Sequence, residues 1–190
     1  MSSTIKSNRI KGIMFIIASA LGFAMMSAFV KLAGDLPSFQ KVFFRNLVSA
    51  IIAFWLIIKH KGSLTGKKEN LKVLLYRSIF GTLGVIFNYY AIDKLMLSDA
   101  NMLNKMSPFL VVIFCAIALK EKINAKQIGA IIIAFIGALF IIKPTFSVEV
   151  IPYLGGIAGA VFAAMAYTCL RVLGDREDYY TIVFFFSVFS

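Results

Sequence analysis

Charged residues are scarce in this sequence, and so are the side chains that build metal or nucleophilic sites. Only 15% of the 190 residues are charged, against about 25% in a typical soluble domain. There is one histidine, His60, and there are two cysteines, Cys115 and Cys169. A metal cluster, or a nucleophile with its base and orienting group, cannot be assembled from so few ligands. We therefore expect no catalytic residue, no metal and no cofactor.

Long apolar runs dominate what is present, because 60% of the residues are hydrophobic and 19 are Phe. Six runs of about 20 residues, the length of a membrane-spanning helix, cover residues 12–30, 39–58, 71–92, 101–119, 125–142 and 152–173. A seventh, residues 179–190, is too short to cross a hydrocarbon core of about 30 Å. The predicted fold class is an all-α polytopic transmembrane helical bundle with six full spans and a truncated seventh. We expect the chain to be part of a longer protein, and both cysteines to be buried free thiols.

Basic residues outnumber acidic ones, giving a net charge of +11. They form no basic face with interleaved aromatics, so nucleic acid is not an expected partner. Thirteen of the twenty Lys and Arg residues fall in the N-terminal segment and in alternate gaps between the runs, and four fall on the opposite side. Positive residues accumulate on the cytoplasmic side of membrane proteins. The sequence therefore predicts a multi-pass protein of the plasma (inner) membrane, with residues 1–11 as a cytoplasmic N-terminal segment.

The chain contains an internal repeat at an offset of 140 residues. It aligns "AMMSAFVKLAGD" (24–35) with "AMAYTCLRVLGD" (164–175), so the first run corresponds to the sixth. A repeating unit of five spans, an odd number, makes the second copy enter the membrane from the opposite side. Inverted repeats of this kind are typical of secondary transporters, whose substrate site lies near the midplane.

Small residues recur at four-residue spacing in the sixth run, at Gly155, Gly159 and Ala163. Spacing of this kind allows two helices to approach closely in a membrane. The glycine-rich stretches lack a neighbouring strand and a phosphate-loop lysine. We therefore predict helix packing here and no nucleotide site.

Several segments resemble, in order, the EamA domain of the drug/metabolite transporter superfamily. They are "KVFFRNLVSAI" (41–51), "LLYRSIFGTLG" (74–84), "YYAIDKLMLSDANMLNKMSPFLVVIF" (89–114) and "LKEKINAKQIGAIIIAFIGALFIIKP" (119–144). The resemblance implies a first EamA domain of five helices over residues 12–144 and the start of a second over residues 152–190. Members typically have ten spans in two inverted halves around a central cavity, and they transport small metabolites, often amino acids. The lipid bilayer, a small-molecule substrate and a missing second half or partner subunit are the expected partners.

Arg45 lies inside the second apolar run, although a charge at mid-membrane costs about 2.5–3.5 kcal/mol. The alternating directions of the spans bring polar residues of the third and fourth runs to a similar depth. These are Asn88, Tyr89, Asn101, Asn104 and Lys105, followed by Pro108, which we expect to kink the fourth span. Our hypothesis is that this cluster lines a substrate cavity. Arg45 and Lys105 would attract an anionic group such as a carboxylate, and the Asn and Tyr side chains would orient the solute.

Other interpretations of these charges stay open. Arg45 can extend to the interface or pair with Asp99, and Lys105 can also reach the interface. Arg77, six residues into the third run, is predicted to be an interface anchor.

The predicted function is transport of a small metabolite such as an amino acid or another carboxylate-bearing compound. One alternative is a membrane-embedded lipid-modifying enzyme that uses acids from Asp175, Glu177 and Asp178. A second is a non-transporting half-unit or scaffold. No acid lies within the first run, and Asp93, Asp99 and Glu121 lie at the ends of spans. We therefore expect either a coupling residue in the missing half or a protein that works as a facilitator.

Overall fold

The computed structural model describes residues 2–119, 124–142 and 150–190, and within these ranges the regular structure is helical without β-strands. The helices are α1 (Ser2–Leu32), α2 (Ser38–His60), α3 (Leu71–Lys94), α4 (Leu97–Asn104), α5 (Ser107–Leu119), α6 (Ala125–Ile142), α7 (Val150–Leu173) and α8 (Tyr179–Phe189). Their apolar sequences explain this, because a backbone in lipid must satisfy its own hydrogen bonds and a helix does so within one segment. The predicted all-α bundle is confirmed.

Five described helical segments are long and apolar enough to cross a membrane. They are Gly12–Leu32, Ser38–His60, Lys68–Lys94, Leu97–Leu119 and Val150–Leu173. α6 has 18 residues and α8 has 11, and neither belongs to this group of five. Large apolar side chains face outward, as for Phe15 and Trp55, which are 75% and 59% exposed. Multiple membrane spans are therefore supported, while the count of six full spans stays a prediction.

The centre of the bundle is α3, which packs most extensively on α7. The two helices approach closely because both carry glycine at the crossing. A Cβ added to Gly84 would lie 3.0 Å from the backbone nitrogen of Ala163, and one added to Gly159 would lie 3.1 Å from the backbone nitrogen of Asn88. A Cβ at Gly155 would lie 3.0 Å from the ring of Tyr90. The predicted packing role of the four-residue spacing in α7 is confirmed.

One end of the bundle, which we call the far end, contains the α1–α2 and α3–α4 connections. Lys31 Nζ of α1 donates hydrogen bonds to the carbonyl oxygens of Ile92 and Leu95, at 2.7 and 2.9 Å. Tyr153, near the start of α7, donates its hydroxyl to Asp99 of α4 at 3.0 Å. These bonds hold the ends of α1, α3, α4 and α7 together.

The other end, which we call the basic end, contains the lysine-rich α2–α3 connection and the α7–α8 connection. Glu177 Oε1 accepts hydrogen bonds from the Lys67 backbone N–H and from Asn70 Nδ2, both at 2.8 Å. Thr181 donates its hydroxyl to the carbonyl oxygen of Ser63 at 2.7 Å. α1 and α7 therefore finish at opposite ends of the bundle, as the odd-numbered repeat predicts for their sequences.

Candidate functional site

A cavity of about 600 Å³ lies inside the bundle and is lined by residues of α1, α2, α3, α4, α5, α7 and α8. This volume is within the range of pockets that hold a small organic molecule, about 300–1,000 Å³. All the residues of the predicted site line it: Arg45, Asn88, Tyr89, Asn101, Asn104, Lys105 and Pro108. The sequence therefore predicted which side chains come together, and their role in binding stays a prediction.

Arg45 of α2 faces the cavity and is half-buried. Its Nη1 donates a hydrogen bond to Asn46 Oδ1 at 2.9 Å, and the buried Asn46 in turn donates to Ser190 Oγ at 2.8 Å. The alternative ion pair with Asp99 is not formed in the described part of the chain, where the salt bridge found joins Lys41 to Asp93, and Asp99 accepts the hydroxyl of Tyr153. Arg45 is thus held by an amide and not by an opposite charge.

Arg77 also lines the cavity, which corrects the prediction that it anchors α3 at the interface. Its guanidinium carbon lies 4.4 Å from the centroid of the Phe186 ring in α8, within cation–π range. A Cβ on Gly81 would collide with Arg77 Nη1, so the glycine one turn along α3 leaves the space that the guanidinium occupies. The pair Arg77 and Gly81, spaced i and i+4, is the sequence signal that the prediction missed.

The Phe186 ring brings the two arginines together. Arg45 Cζ lies 5.8 Å from the ring centroid and Arg77 Cζ lies 4.4 Å from it, so the separation of these two carbons cannot exceed the sum of the two distances. Two unit charges about 10 Å apart repel by about 2 kcal/mol at an effective dielectric of about 20. The cavity therefore concentrates positive potential at this wall.

Lys105 lies at the interruption between α4 and α5, where residues 105 and 106 leave the helix. Pro108 follows in the first turn of α5 and has no N–H to donate to the carbonyl oxygen of Asn104. The predicted irregularity of the fourth span is thus present, and it takes the form of a break before the proline. Asn101, one turn before Lys105, accepts a hydrogen bond from Ser27 Oγ of α1 at 3.2 Å.

Two buried donors in the cavity wall have no hydrogen-bond partner among the described residues. They are Nε of Arg77 and the hydroxyl of Tyr89, whose side chain is 1% exposed. Buried donors are normally satisfied, so these two can donate to a polar group in the cavity. The prediction also missed Ser27 and Tyr167, which add hydroxyl groups to the wall.

The charge of the cavity has one sign in the described part of the chain. Its lining includes Arg45, Arg77 and Lys105 but no Asp or Glu. The same part contains no group of three His, Cys, Asp or Glu side chains that could hold a metal ion. This arrangement suits an anionic organic ligand with oxygen acceptors.

Comparison with known proteins agrees with this architecture. A family model described as the EamA-like transporter family matches residues 10–143, which is more than half of the chain. The chain belongs to the EamA-like transporter family. The predicted family and the multi-pass membrane character are thereby confirmed.

Relatives of this EamA-family chain are named as transporters. It is 33% identical over 177 residues to the pseudopaline exporter CntI of Pseudomonas aeruginosa, covering 92% of this chain and 62% of that protein. It is 27% identical to an uncharacterized transporter of Helicobacter pylori, covering 93% and 60% of the two chains. It is 26% identical to solute carrier family 35 member G1 of Homo sapiens, covering 93% and 52%. The chain thus spans between half and two thirds of the length of these relatives. No solved structure matches it.

The acids considered for a lipid-modifying enzyme lie at the basic end of the EamA-family bundle. Glu177 accepts the two hydrogen bonds that join the connections there. Asp178 immediately precedes α8, and the side chain of Asp175 lies outside the described part of the structure. The Glu177 carboxylate therefore has a structural role, because it joins the two connections at the basic end.

Proposed function

We propose that this chain forms part of a secondary transporter that moves a small metabolite across the plasma (inner) membrane. The solute is an amino acid or another carboxylate-bearing compound. The observation that carries this proposal is the cavity, in which Arg45 and Lys105 accompany amide and hydroxyl groups from several helices. The names of the relatives support transport, and the absence of an acid from the described lining favours an anionic group.

The proposed architecture is an inverted repeat of five spans, with the second half of the protein or a partner subunit completing the cavity. Contacts between α2 and α8 support it. Asn46 contacts Ser190, and Phe54 contacts Phe184 with ring centroids 5.9 Å apart. The 140-residue offset maps Ser190 onto position 50 and Phe184 onto position 44. The pairs 46/50 and 54/44 are centred on positions 48 and 49, as expected for a two-fold axis that crosses the two helices there.

The proposed orientation places the N-terminus and the basic end in the cytoplasm. Lys61, Lys67 and Lys68 of the α2–α3 connection then lie on the cytoplasmic side, and Asp93 and Lys94 lie outside. The surrounding partner is the lipid bilayer, which the exposed apolar faces of α1 and α2 would contact.

We propose transport and no enzymatic activity. Of the acids considered for a lipid-modifying enzyme, Glu177 is held by the Lys67 backbone N–H and Asn70, which argues against a catalytic role for it. A scaffold would not need three cations lining a cavity between apolar helices, because a charged group in the membrane is costly and is normally retained for function.

The test uses the full-length protein in proteoliposomes with a mixture of amino acids, hydroxy acids and dicarboxylates on one side. Uptake and efflux are followed by mass spectrometry. We expect at least one carboxylate-bearing solute to move faster than in empty liposomes. Arg45→Gln should weaken apparent affinity by about tenfold or more, since a charge-assisted hydrogen bond is lost. Lys59→Gln removes the same charge from the exposed end of α2 and should leave transport unchanged.

Two results would contradict the proposal. One is that no solute in the mixture moves in either direction. The other is that a folded Arg45→Gln variant, verified by size-exclusion chromatography and circular dichroism, has the affinity of the parent protein.

A further inference from the structure

We infer that the cavity selects a solute with two anionic groups, one bound by Arg45 and Arg77 and the other by Lys105. The inference rests on the proposed transport function and specifies the charge of the transported solute. Three observations carry it: the arginine pair at Phe186, the separate position of Lys105, and the lack of carboxylates in the described lining.

The arginine pair forms the first anion site. Arg45 and Arg77 come from different helices, and both guanidinium groups lie close to one aromatic ring, Phe186. Nε of Arg77 and the hydroxyl of Tyr89 are buried donors in the lining with no acceptor among the described residues. A carboxylate offers two oxygens with several lone pairs, and guanidinium groups bind it by paired charge-assisted hydrogen bonds. One carboxylate between the two guanidinium groups can therefore accept hydrogen bonds from both.

Lys105 provides the second site, and it comes from a different part of the fold. It lies at the break between α4 and α5, whereas the arginines lie on α2 and α3. Within the described chain, Lys105 has no ion pair, because the one salt bridge found there joins Lys41 to Asp93. Asp99, six residues before it, accepts hydrogen bonds from Tyr153 and Ser98. An ammonium group in a cavity favours an anion near it, and the described part of the protein supplies none.

The number of positive charges in the cavity lining favours a dianionic solute over a monoanionic one. A monoanion would offset one of the three positive charges in the lining, and if held by the arginine pair it would leave Lys105 without a counter-ion. A solute with a second carboxylate reaches Lys105 as well, and the cavity volume of about 600 Å³ accommodates a metabolite of that size. Asn101 and Asn104 lie next to Lys105 and can contact the rest of the second group.

The experiment compares unbranched dicarboxylates, from malonate to suberate, with the monoamide of each acid. Every pair has nearly the same shape and differs by one charge. Binding to the full-length protein in detergent is measured from the rise in Tm at graded ligand concentrations. We expect at least one diacid to bind, and its monoamide to bind about tenfold or more weakly, because one charge-assisted contact is lost.

Variants assign the two ends of the solute. Lys105→Gln should abolish the preference by reducing diacid affinity to that of the monoamide, and Lys105→Arg should retain it because the charge stays. Arg77→Gln should weaken diacid and monoamide by a similar factor, since both use the arginine pair. Lys94→Gln, which removes an exposed cation at the far end, is the matched control and should change neither.

The inference is overturned if no diacid in the series binds, if diacid and monoamide bind equally, or if folded Lys105→Gln retains the preference. Should Lys105→Gln fail to fold, the parent protein and Lys105→Arg still decide the question. If proteoliposomes transport carboxylate-bearing solutes but diacids and monoamides compete equally, this inference is wrong and the proposed function holds. If nothing is transported, the proposed function fails whichever diacids bind.

Discussion

Lys41 and Asp93 form an ion pair, with Nζ 2.6 Å from Oδ1, that joins the start of α2 to the end of α3. Lys41 also donates to the carbonyl oxygen of Gly34 at 2.9 Å, and Asp93 Oδ2 accepts the hydroxyl of Ser38 at 2.8 Å. The two side chains are 4% and 20% exposed, so water screens the pair weakly. Breaking it from one side would leave the other charge buried and uncompensated.

Lys41→Gln or Asp93→Asn should therefore each destabilise the protein, by about 3 kcal/mol. The double variant should lose much less than the sum of the two, because neither charge is then left alone. Thermal unfolding in detergent measures the effect. Lys94→Gln, next to Asp93 but exposed, is the control. Additive losses in the double variant would show that the pair contributes little.

Gly84→Ala and Gly159→Ala should destabilise the packing of α3 on α7. The added methyl groups would approach backbone atoms of Ala163 and Asn88 at 3.0 and 3.1 Å, and a backbone cannot move aside as a side-chain tip can. Overpacking of this kind costs about 1–3 kcal/mol. Gly22→Ala is the control, since a Cβ there has nothing within 4 Å. Equal Tm values for all three variants would contradict a tight crossing.

Phe186→Leu should weaken solute binding without unfolding the protein. The ring lies beside both guanidinium groups, and cation–π contacts are worth about 0.5–2 kcal/mol. We expect affinity for a transported solute to fall about three- to thirtyfold. Phe43→Leu, at an exposed position in α2, should leave affinity unchanged. The comparison is made by concentration-dependent uptake, and a Phe186→Leu variant with parental affinity would remove the ring from the site.

Glu177→Ala should loosen the basic end. Losing an acceptor that binds Lys67 and Asn70 removes two hydrogen bonds to a charged group, each worth about 1.5–3 kcal/mol. Trypsin should then cleave after Lys67 and Lys68 about tenfold faster in the detergent-solubilised protein. Glu69→Ala changes an exposed acid in the same connection and should not alter cleavage. Unchanged cleavage in Glu177→Ala would mean that the connection is ordered by other contacts.

The sequence was sufficient to predict the helical bundle and a polar group within the cavity lining, because polar side chains on apolar helices are normally turned toward the interior of a bundle. The alternating directions of the spans put Arg45, Asn88 and Asn101 at comparable depths, and the structure brings all three to one cavity. The depth of a residue along its span was not enough to predict the location of Arg77. Its position near the start of α3 agrees equally with the interface or the interior, and the decision depends on the helix rotation and on the space above Gly81.

The hydrogen-bond partners of individual polar side chains could not be predicted from the sequence either. The pairing of Arg45 with Asp99 was reasonable by depth, yet Asn46 holds Arg45 and Tyr153 holds Asp99. The position of the break in the fourth span was similarly approximate. Proline predicts an irregularity, but the preceding residues decide where the helix ends, and here it ends at Asn104.

The interruption before Pro108 divides the fourth span into two shorter helices, α4 and α5. α4 is tied to α1 through Asn101 and to the start of α7 through Asp99, whereas α5 packs further along α7. Because the carbonyl of Asn104 has no N–H at Pro108 to accept, tilting α4 against α5 sacrifices little of the backbone bonding. Lys105 lies at the break between α4 and α5. A change in the angle between α4 and α5 would therefore alter the direction in which the Lys105 side chain extends from the cavity wall.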